Sequence, residues 1–340
     1  MGTDFTTLSG QVQRWIERGH YPGAGLIIGQ GDRVLLERYF GTYTPETRVF
    51  IASAGKWLAA AGVASVVDDG LLGWDDRVAA WLPQFVGEAG GISLRQLFSH
   101  TSGLLPQQPP GRRSDDYQTL EESVAAIAPL GLAEAPGTRF RYGGLSMQVA
   151  GRMAELATGQ RFEELFQRRI ARPLGLSHTR FTPVDPGPGR SPMLGGGARS
   201  SARDYARFLR MIAADGTFEG ARVLSAAAIG AMLADQVGTA TVAPGELVER
   251  VRGAKHTGVY GLGLWRERLD AQGRATLVSS PSWAGSYPWL DLEHGLYGVF
   301  ITHVDLNGPP WESGFDPLYS SAVLADLAAR AVHPEQPRAP

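Results

Sequence analysis

The sequence predicts an α+β fold: an antiparallel sheet built from both chain ends and flanked by helices, with an inserted, mainly helical domain. Three observations predict it. Gly25–Gly29 and Arg33–Tyr39 are strand signals separated by Gly31-Asp32, a two-residue hairpin pattern. Residues 259–266 and 275–304 alternate like antiparallel strands, most clearly from Gly295 to Thr302. Between these ends, helical periodicity dominates. The expected division is 1–75 with 195–332 for the sheet domain and 76–194 for the insertion, with a disordered tail at 333–340. A cleft between the two domains is the expected place for a site.

The elements follow in order. Residues 7–19 read as an amphipathic helix with Leu8, Val12, Trp15 and Ile16 on one face. After the hairpin, a loop broken by Pro45 leads to Arg48–Ile51 and then to an Ala-rich helical run ending at Asp68-Asp69-Gly70. Short helices are expected over 71–104, with Ser93 as an N-cap, and a Pro-rich surface loop over 105–113. Helices are expected near 119–128 and over 145–171, the second broken at Gly159. Residues 183–197 read as a return linker. Further helices are expected from Ser200, over 225–234 and over 317–331.

Composition excludes several classes. The 340 residues are 43% hydrophobic and 19% charged, as in ordinary soluble globular proteins. A net charge of −2 and a pI near 6.4 argue against a nucleic-acid partner. The absence of cysteine removes disulfides, thiol catalysis and cysteine metal sites. No run of 18 apolar residues occurs, so no membrane span is expected. The first residues lack a basic and an apolar region, so no signal peptide is read and a cytoplasmic location is expected. Met1-Gly2 with Thr6 matches a myristoylation pattern only formally. The seven histidines form no metal signature, and no dinucleotide or phosphate loop follows a strand, so no metal and no cofactor are expected. A Gly-x-Ser-x-Gly elbow is also missing.

The stretch carrying the chemistry is Ile51-Ala52-Ser53-Ala54-Gly55-Lys56-Trp57-Leu58. On a helix, positions three apart share a face, so Ser53 Oγ and Lys56 Nζ can meet near the positive end of the helix dipole. A nucleophilic serine needs a base within reach and a positive field for its oxyanion. Ser-x-x-Lys alone is a weak pattern. Here the chain holds two lysines, Lys56 and Lys255, against thirty arginines. A lysine placed one turn after a serine then reads as chosen for the proton that only lysine can lose. The competing reading is a surface lysine beside a capping serine.

Two further segments are candidates. Phe140-Arg141-Tyr142-Gly143-Gly144 puts a tyrosine on a Gly-rich turn at a helix start, where its phenol can act as acid or base near a cation. The alternative is a packed ring. Pro281-Ser282-Trp283-Ala284-Gly285-Ser286-Tyr287 leads small residues into a strand, where substrate backbone can approach and an N–H can face an oxyanion. The alternative is a bulged strand with a packed tryptophan. His100 reads mainly as a local turn residue, and His303 as a strand-end pair.

Taken in order, Ser53-x-x-Lys56, Tyr142 and the strand near 283–286 resemble the serine β-lactamase and penicillin-binding-protein superfamily. The nearest likeness is to its class C β-lactamase and family VIII carboxylesterase branch. The resemblance covers roughly residues 20–330, with support from Leu97–Leu104, Pro173–Leu176, Gly195–Asp204 and Tyr260–Trp265. It implies a β-lactamase-like fold and an acyl-enzyme on Ser53. Lys56 and Tyr142 would pass protons, and the backbone N–H groups of Ser53 and Ser286 would hold the oxyanion. Trp283, Ala284, Gly285, Gly144 and Tyr287 would bind substrate. Lys255-His256-Thr257-Gly258 imitates the family's third motif but comes too early in the chain.

Two departures bear on the substrate. Tyr142-Gly143-Gly144 lacks the amide or hydroxyl side chain that the family carries at the third position. Trp283 stands where the family has a Lys or His cation. Both favour an uncharged ester over a β-lactam. The expected activity is hydrolysis of a small-molecule carboxylic ester. Alternatives are an amidase or peptidase, a weak β-lactamase, an acyltransferase, and a non-catalytic binding protein of the same fold. The acyl and alcohol groups and the oligomeric state are not readable.

Overall fold

Strands β1 (Gly23–Gln30) and β2 (Arg33–Gly41) pair antiparallel with Gln30 opposite Arg33, so the turn is Gly31-Asp32 as predicted. Gly31 takes φ +54°, the left-handed conformation that tight hairpins demand. Four later strands follow: β3 (Trp265–Leu269), β4 (Ala275–Ser279), β5 (Gly285–Asp291) and β6 (Leu296–His303). The sheet order is β2-β1-β6-β5-β4-β3, antiparallel throughout. Strands from the two chain ends meet at the β1–β6 pair. The strand expected over 259–266 begins only at Trp265, because Gly261 and Gly263 bend the chain before it. This computed structural model describes residues 3–111, 117–181, 192–243, 257–305 and 312–334. Residues 183–191 of the expected linker, Lys255-His256, and 335–340 of the expected tail lie outside them.

Five helices place the site: α1 (Thr6–Glu17), α2 (Gly55–Asp68), α3 (Leu145–Thr158), α4 (Ala202–Ala213) and α5 (Val323–Val332). Side-chain alternation divides β1 between two cores. Leu26 and Ile28 join Leu8, Val12 and Trp15 of α1 and Leu324 and Ala328 of α5. Ile27 joins Val299 and Ile301 of β6 and the apolar residues of α2 and α4 on the other face. Helices thus cover both faces of the sheet. Ser93 caps helix Leu94–Phe98 with a full capping box, Gln96 reciprocating at the N3 position. The long helix expected over 145–171 stops at Gly159, which takes the left-handed conformation, and resumes as short turns from Phe162. The last helix starts at Val323, after one 3-10 turn.

Helix α2 is buried on every side, from Gly55 to Val66. A helix apolar all round belongs in a core, and its alanines and glycines let neighbours come close. A Cβ on Gly55 would lie 2.6 Å from Ala198 Cβ, and one on Gly263 would lie 2.5 Å from the Lys56 carbonyl oxygen. Gly263 also takes φ +77°. The first turn of α2 is therefore clamped by residues from the far end of the chain.

These contacts predict opposite outcomes for two alanine substitutions. Gly263→Ala should lower the thermal midpoint by several degrees, since it adds backbone strain and a clash together worth about 2 kcal/mol or more. Gly230→Ala lies within helix Ala226–Leu233, where an added Cβ meets nothing within 4 Å. It should stabilise by about 0.5–1 kcal/mol. Thermal unfolding of both variants checks this, and equal midpoints would contradict the packing described.

Candidate active site

The nucleophile candidate sits at the entrance to α2. Val49–Phe50 pairs with Arg199–Ser200, and Ile51 N–H donates to the Ala198 carbonyl at 3.0 Å. The chain then reverses through Ala52, whose φ of +45° is uncommon for a residue with a Cβ and costs about 1–3 kcal/mol. Ser53 lies in a single 3-10 turn, Ala52–Ala54, and the α-helix proper starts at Gly55. Ser53 therefore lies two residues before the first residue of the helix rather than within its first turn. The turn is pinned from two sides: Ser280 Oγ donates to the Ser53 carbonyl at 3.1 Å, and Tyr205 OH to the Ala54 carbonyl at 2.6 Å.

The three-residue spacing still works. Lys56 Nζ lies 3.3 Å from Ser53 Oγ and also donates to the Gly195 carbonyl. It stands 4.7 Å above the centroid of the Tyr142 ring. Lys56 is only 3% exposed. Burial penalises the ammonium and brings its pKa down to about 7. At neutral pH a large fraction is then free amine, the form that can take a proton from a serine.

Tyr142 is held by a strap between two loops. Arg141 N–H donates to the His100 carbonyl at 2.8 Å, and Gly144 N–H to the Pro106 carbonyl at 2.8 Å. Gly143 permits this approach, because a Cβ there would lie 2.3 Å from the Pro106 oxygen. The Tyr142 ring lies 5.3 Å from that of Trp265 at 31°. Its position relative to Lys56 is face-on, so the ring's negative face bears on the charged form of the amine.

These groups open onto a cavity of about 510 Å³. Ser53, Lys56, Tyr142, Gly144 and Trp283 all line it, together with Phe50, Pro106, Gln107, Gln108, Gly143, Met193, Gly195 and Gly196. Lys56 is the one charged side chain among these lining residues. Trp283 is half-exposed, with its ring 6.4 Å from that of Phe50.

The other residues singled out on the 283–287 segment lie elsewhere. Tyr287 is fully buried on the opposite face of the sheet, among residues of α1 and α5, and its hydroxyl donates to Glu267 at 2.8 Å. It cannot bind substrate in this cavity; alternation along β5 turns it away. Ala284 is buried, and Gly285, at φ +102°, leaves room for Tyr21, so neither lines the cavity. Ser286 is buried at the start of β5, its hydroxyl donating to the Thr302 carbonyl at 2.7 Å. β5, which Ser286 opens together with Gly285, packs against the Ala52–Ala54 turn.

Sequence reasoning missed Phe50, Met193, Gln107, Gln108 and the Gly195 carbonyl. The Gly195-Gly196-Gly197 run was the one visible signal for the last. Among the described residues, one group has metal-ligand spacing, Asp291, Glu293 and His294. It lies at the β5–β6 turn, outside this cavity, and Asp291 pairs with His294 at 2.9 Å.

Residues 8–316 match the Beta-lactamase family model. A crystal structure from Bacteroides dorei DSM 17855, provisionally described as a beta-lactamase, superposes with a TM-score of 0.91 at 48% identity, covering 97% of this chain and 99% of that one. A family VIII carboxylesterase superposes with a TM-score of 0.73 at 18% identity, covering 96% and 97%. Among curated proteins, Protein flp of Staphylococcus aureus (strain COL) is 26% identical over 187 residues, which is 50% of this chain but only 37% of that protein. With fold, motif order and these matches in agreement, the chain belongs to the Beta-lactamase family, within the serine β-lactamase and penicillin-binding-protein superfamily.

Proposed function

We propose that this protein hydrolyses small-molecule carboxylic esters through an acyl-enzyme on Ser53. The observation that carries the reading is the buried Lys56 amine 3.3 Å from Ser53 Oγ, in a cavity that Trp283 lines and, among the described residues, no second cation does. In the free-amine form, Lys56 takes the Ser53 proton as Oγ attacks the ester carbonyl. The carbonyl π electrons move to oxygen, and backbone N–H groups of Ser53 and Ser286 are the donors proposed for that oxyanion. On collapse the C–O bond to the alcohol breaks, and the proton held by Lys56 passes to the leaving alkoxide with Tyr142 in the path. Water then attacks the acyl-enzyme, Lys56 and Tyr142 taking its proton and returning it to Ser53 Oγ. Acid and regenerated enzyme result.

Two features support an uncharged substrate. Among the described residues, no second cation lines the cavity to hold a carboxylate, and Gly144 offers no side-chain amide. Phe50, Trp283 and Met193 supply apolar wall for an acyl or alcohol group. The name of one fold relative, EstCE1, describes it as a hydrolase with promiscuous acyltransferase activity. The same Ser53 acyl-enzyme would serve an alcohol acceptor here. The side-chain amides of Gln107 and Gln108 in the wall favour amide cleavage as the second reading, since they can pair with an amide of a substrate.

Turnover of p-nitrophenyl esters of graded chain length, beside nitrocefin, tests the reading. Ester turnover should far exceed nitrocefin turnover. Ser53→Ala and Lys56→Ala should each lower kcat/KM by about 1,000-fold or more. Lys56→Arg should not rescue, because arginine keeps its proton. Fast nitrocefin turnover would overturn the ester preference.

The pH profile has a defined sign. The working form is the amine, so kcat/KM should rise about tenfold per pH unit below 7 and level off above it. A profile that falls as pH rises through 7 would exclude Lys56 as the base. Trp283→Ala should raise KM for longer acyl esters about tenfold while kcat stays within about twofold, since it removes apolar contact rather than a proton carrier.

A further inference from the structure

Packed against Tyr142, and not among the residues lining the cavity, lies a buried polar pair that the reaction scheme leaves idle. His100 is 3% exposed, and neither of its ring nitrogens has a hydrogen-bond partner. The Tyr260 hydroxyl beside it is buried as well and bears on the Tyr142 side chain. The His100 ring lies 4.7 Å from Tyr142, 4.8 Å from Tyr260 and 5.9 Å from Phe140. A phenylalanine would fill the same edge-to-face niche with no polar atoms to bury.

The backbone adds a second, independent observation. His100 takes φ +59°, a left-handed conformation uncommon outside glycine. Its carbonyl receives the Arg141 N–H, so the strained residue and the tyrosine segment are tied directly together. Such a conformation persists where surrounding contacts hold it, as the Arg141 bond does here. Burial and the nearby Lys56 cation both push the imidazole well below the ordinary histidine range, so it is neutral. A neutral imidazole carries one N–H and one lone pair. It can therefore pair with a phenol whether that phenol is holding or giving up its proton.

We propose that His100 is a positioning residue for the Ser53 reaction: with the Tyr260 hydroxyl it forms a polar backing that holds Tyr142 in line with Lys56 and Ser53. The inference rests on the acyl-enzyme reading above. It assigns His100 no contact with substrate.

The test compares wild type with His100→Phe, His100→Asn and Tyr260→Phe. The measurements are the rate of Ser53 labelling by a fluorophosphonate probe and kcat and KM for a p-nitrophenyl ester. Phenylalanine keeps the ring packing and removes the polarity. Asparagine keeps a donor and an acceptor and tolerates the left-handed backbone. His100→Phe should slow labelling and kcat about tenfold or more with KM within about twofold, the split expected when positioning is lost and binding is not. His100→Asn should recover most of that loss. Tyr260→Phe, which removes one oxygen, should slow both rates several-fold without altering the far-ultraviolet circular dichroism or shifting the thermal midpoint by more than a few degrees. Wild-type rates in His100→Phe, or a folded His100→Asn no better than His100→Phe, would overturn the proposal. If the His100 variants fail to fold, Tyr260→Phe decides, and an unchanged rate overturns it. Failure of the probe to label wild-type Ser53 would instead remove the acyl-enzyme reading itself, and this inference with it.

Discussion

Burying an amine beside a hydroxyl is the constraint from which the rest of this structure follows. Lys56 could not sit as an ammonium in a helix enclosed on all sides without a large loss of hydration. The fold meets that demand with the Gly195 carbonyl, the face of the Tyr142 ring and the Ser53 hydroxyl. What remains is an amine that gives up its proton near neutrality. An exposed lysine in the same spacing would stay charged and would leave Ser53 an ordinary alcohol.

Holding that amine in place takes contributions from the whole chain. The Ser53 turn receives hydrogen bonds from Tyr205 on α4 and from Ser280 just after β4. The Phe50 edge pairs with residues 199–200, and Gly263 lets the 257–265 segment press against the first turn of α2. The Tyr142 loop is strapped to the 100–106 loop. Several of these contacts depend on glycine at a point of close backbone approach, which explains why small residues crowd the site. The chemistry proposed for three side chains thus depends on contacts that no short segment could make alone.

The sequence made some of this legible and hid the rest for physical reasons. Ser53 and Lys56 were readable because their contact is local and the helix around them is strongly patterned. The hairpin at Gly31-Asp32 and the β6 strand were readable for the same reason. Tyr287 was misassigned because the direction of a strand residue depends on a one-residue phase, and the β5–β6 register shifts between Gly285 and Tyr287. Gly195 is separated by 139 residues from the ammonium it accepts from, and a carbonyl leaves no trace in residue identity. His100 reads as a residue that bonds locally to fix a turn, yet its ring nitrogens make no hydrogen bond and its carbonyl accepts from the distant Arg141. Its packing against Tyr142 and Tyr260 arises only when three distant loops converge. The glycines at 261 and 263 are plain in the sequence, yet their effect in delaying β3 to Trp265 is a backbone matter.

The central claim is that Lys56 is an amine near neutral pH, and the chain is well suited to asking this directly. It contains two lysines, so a protein labelled with 13Cε lysine gives two signals, and Lys56→Arg assigns one of them. Titration of the Lys56 signal by NMR should show a midpoint near 7. A midpoint at the ordinary lysine value of about 10.4 would contradict the account. Ser53 would then need another base.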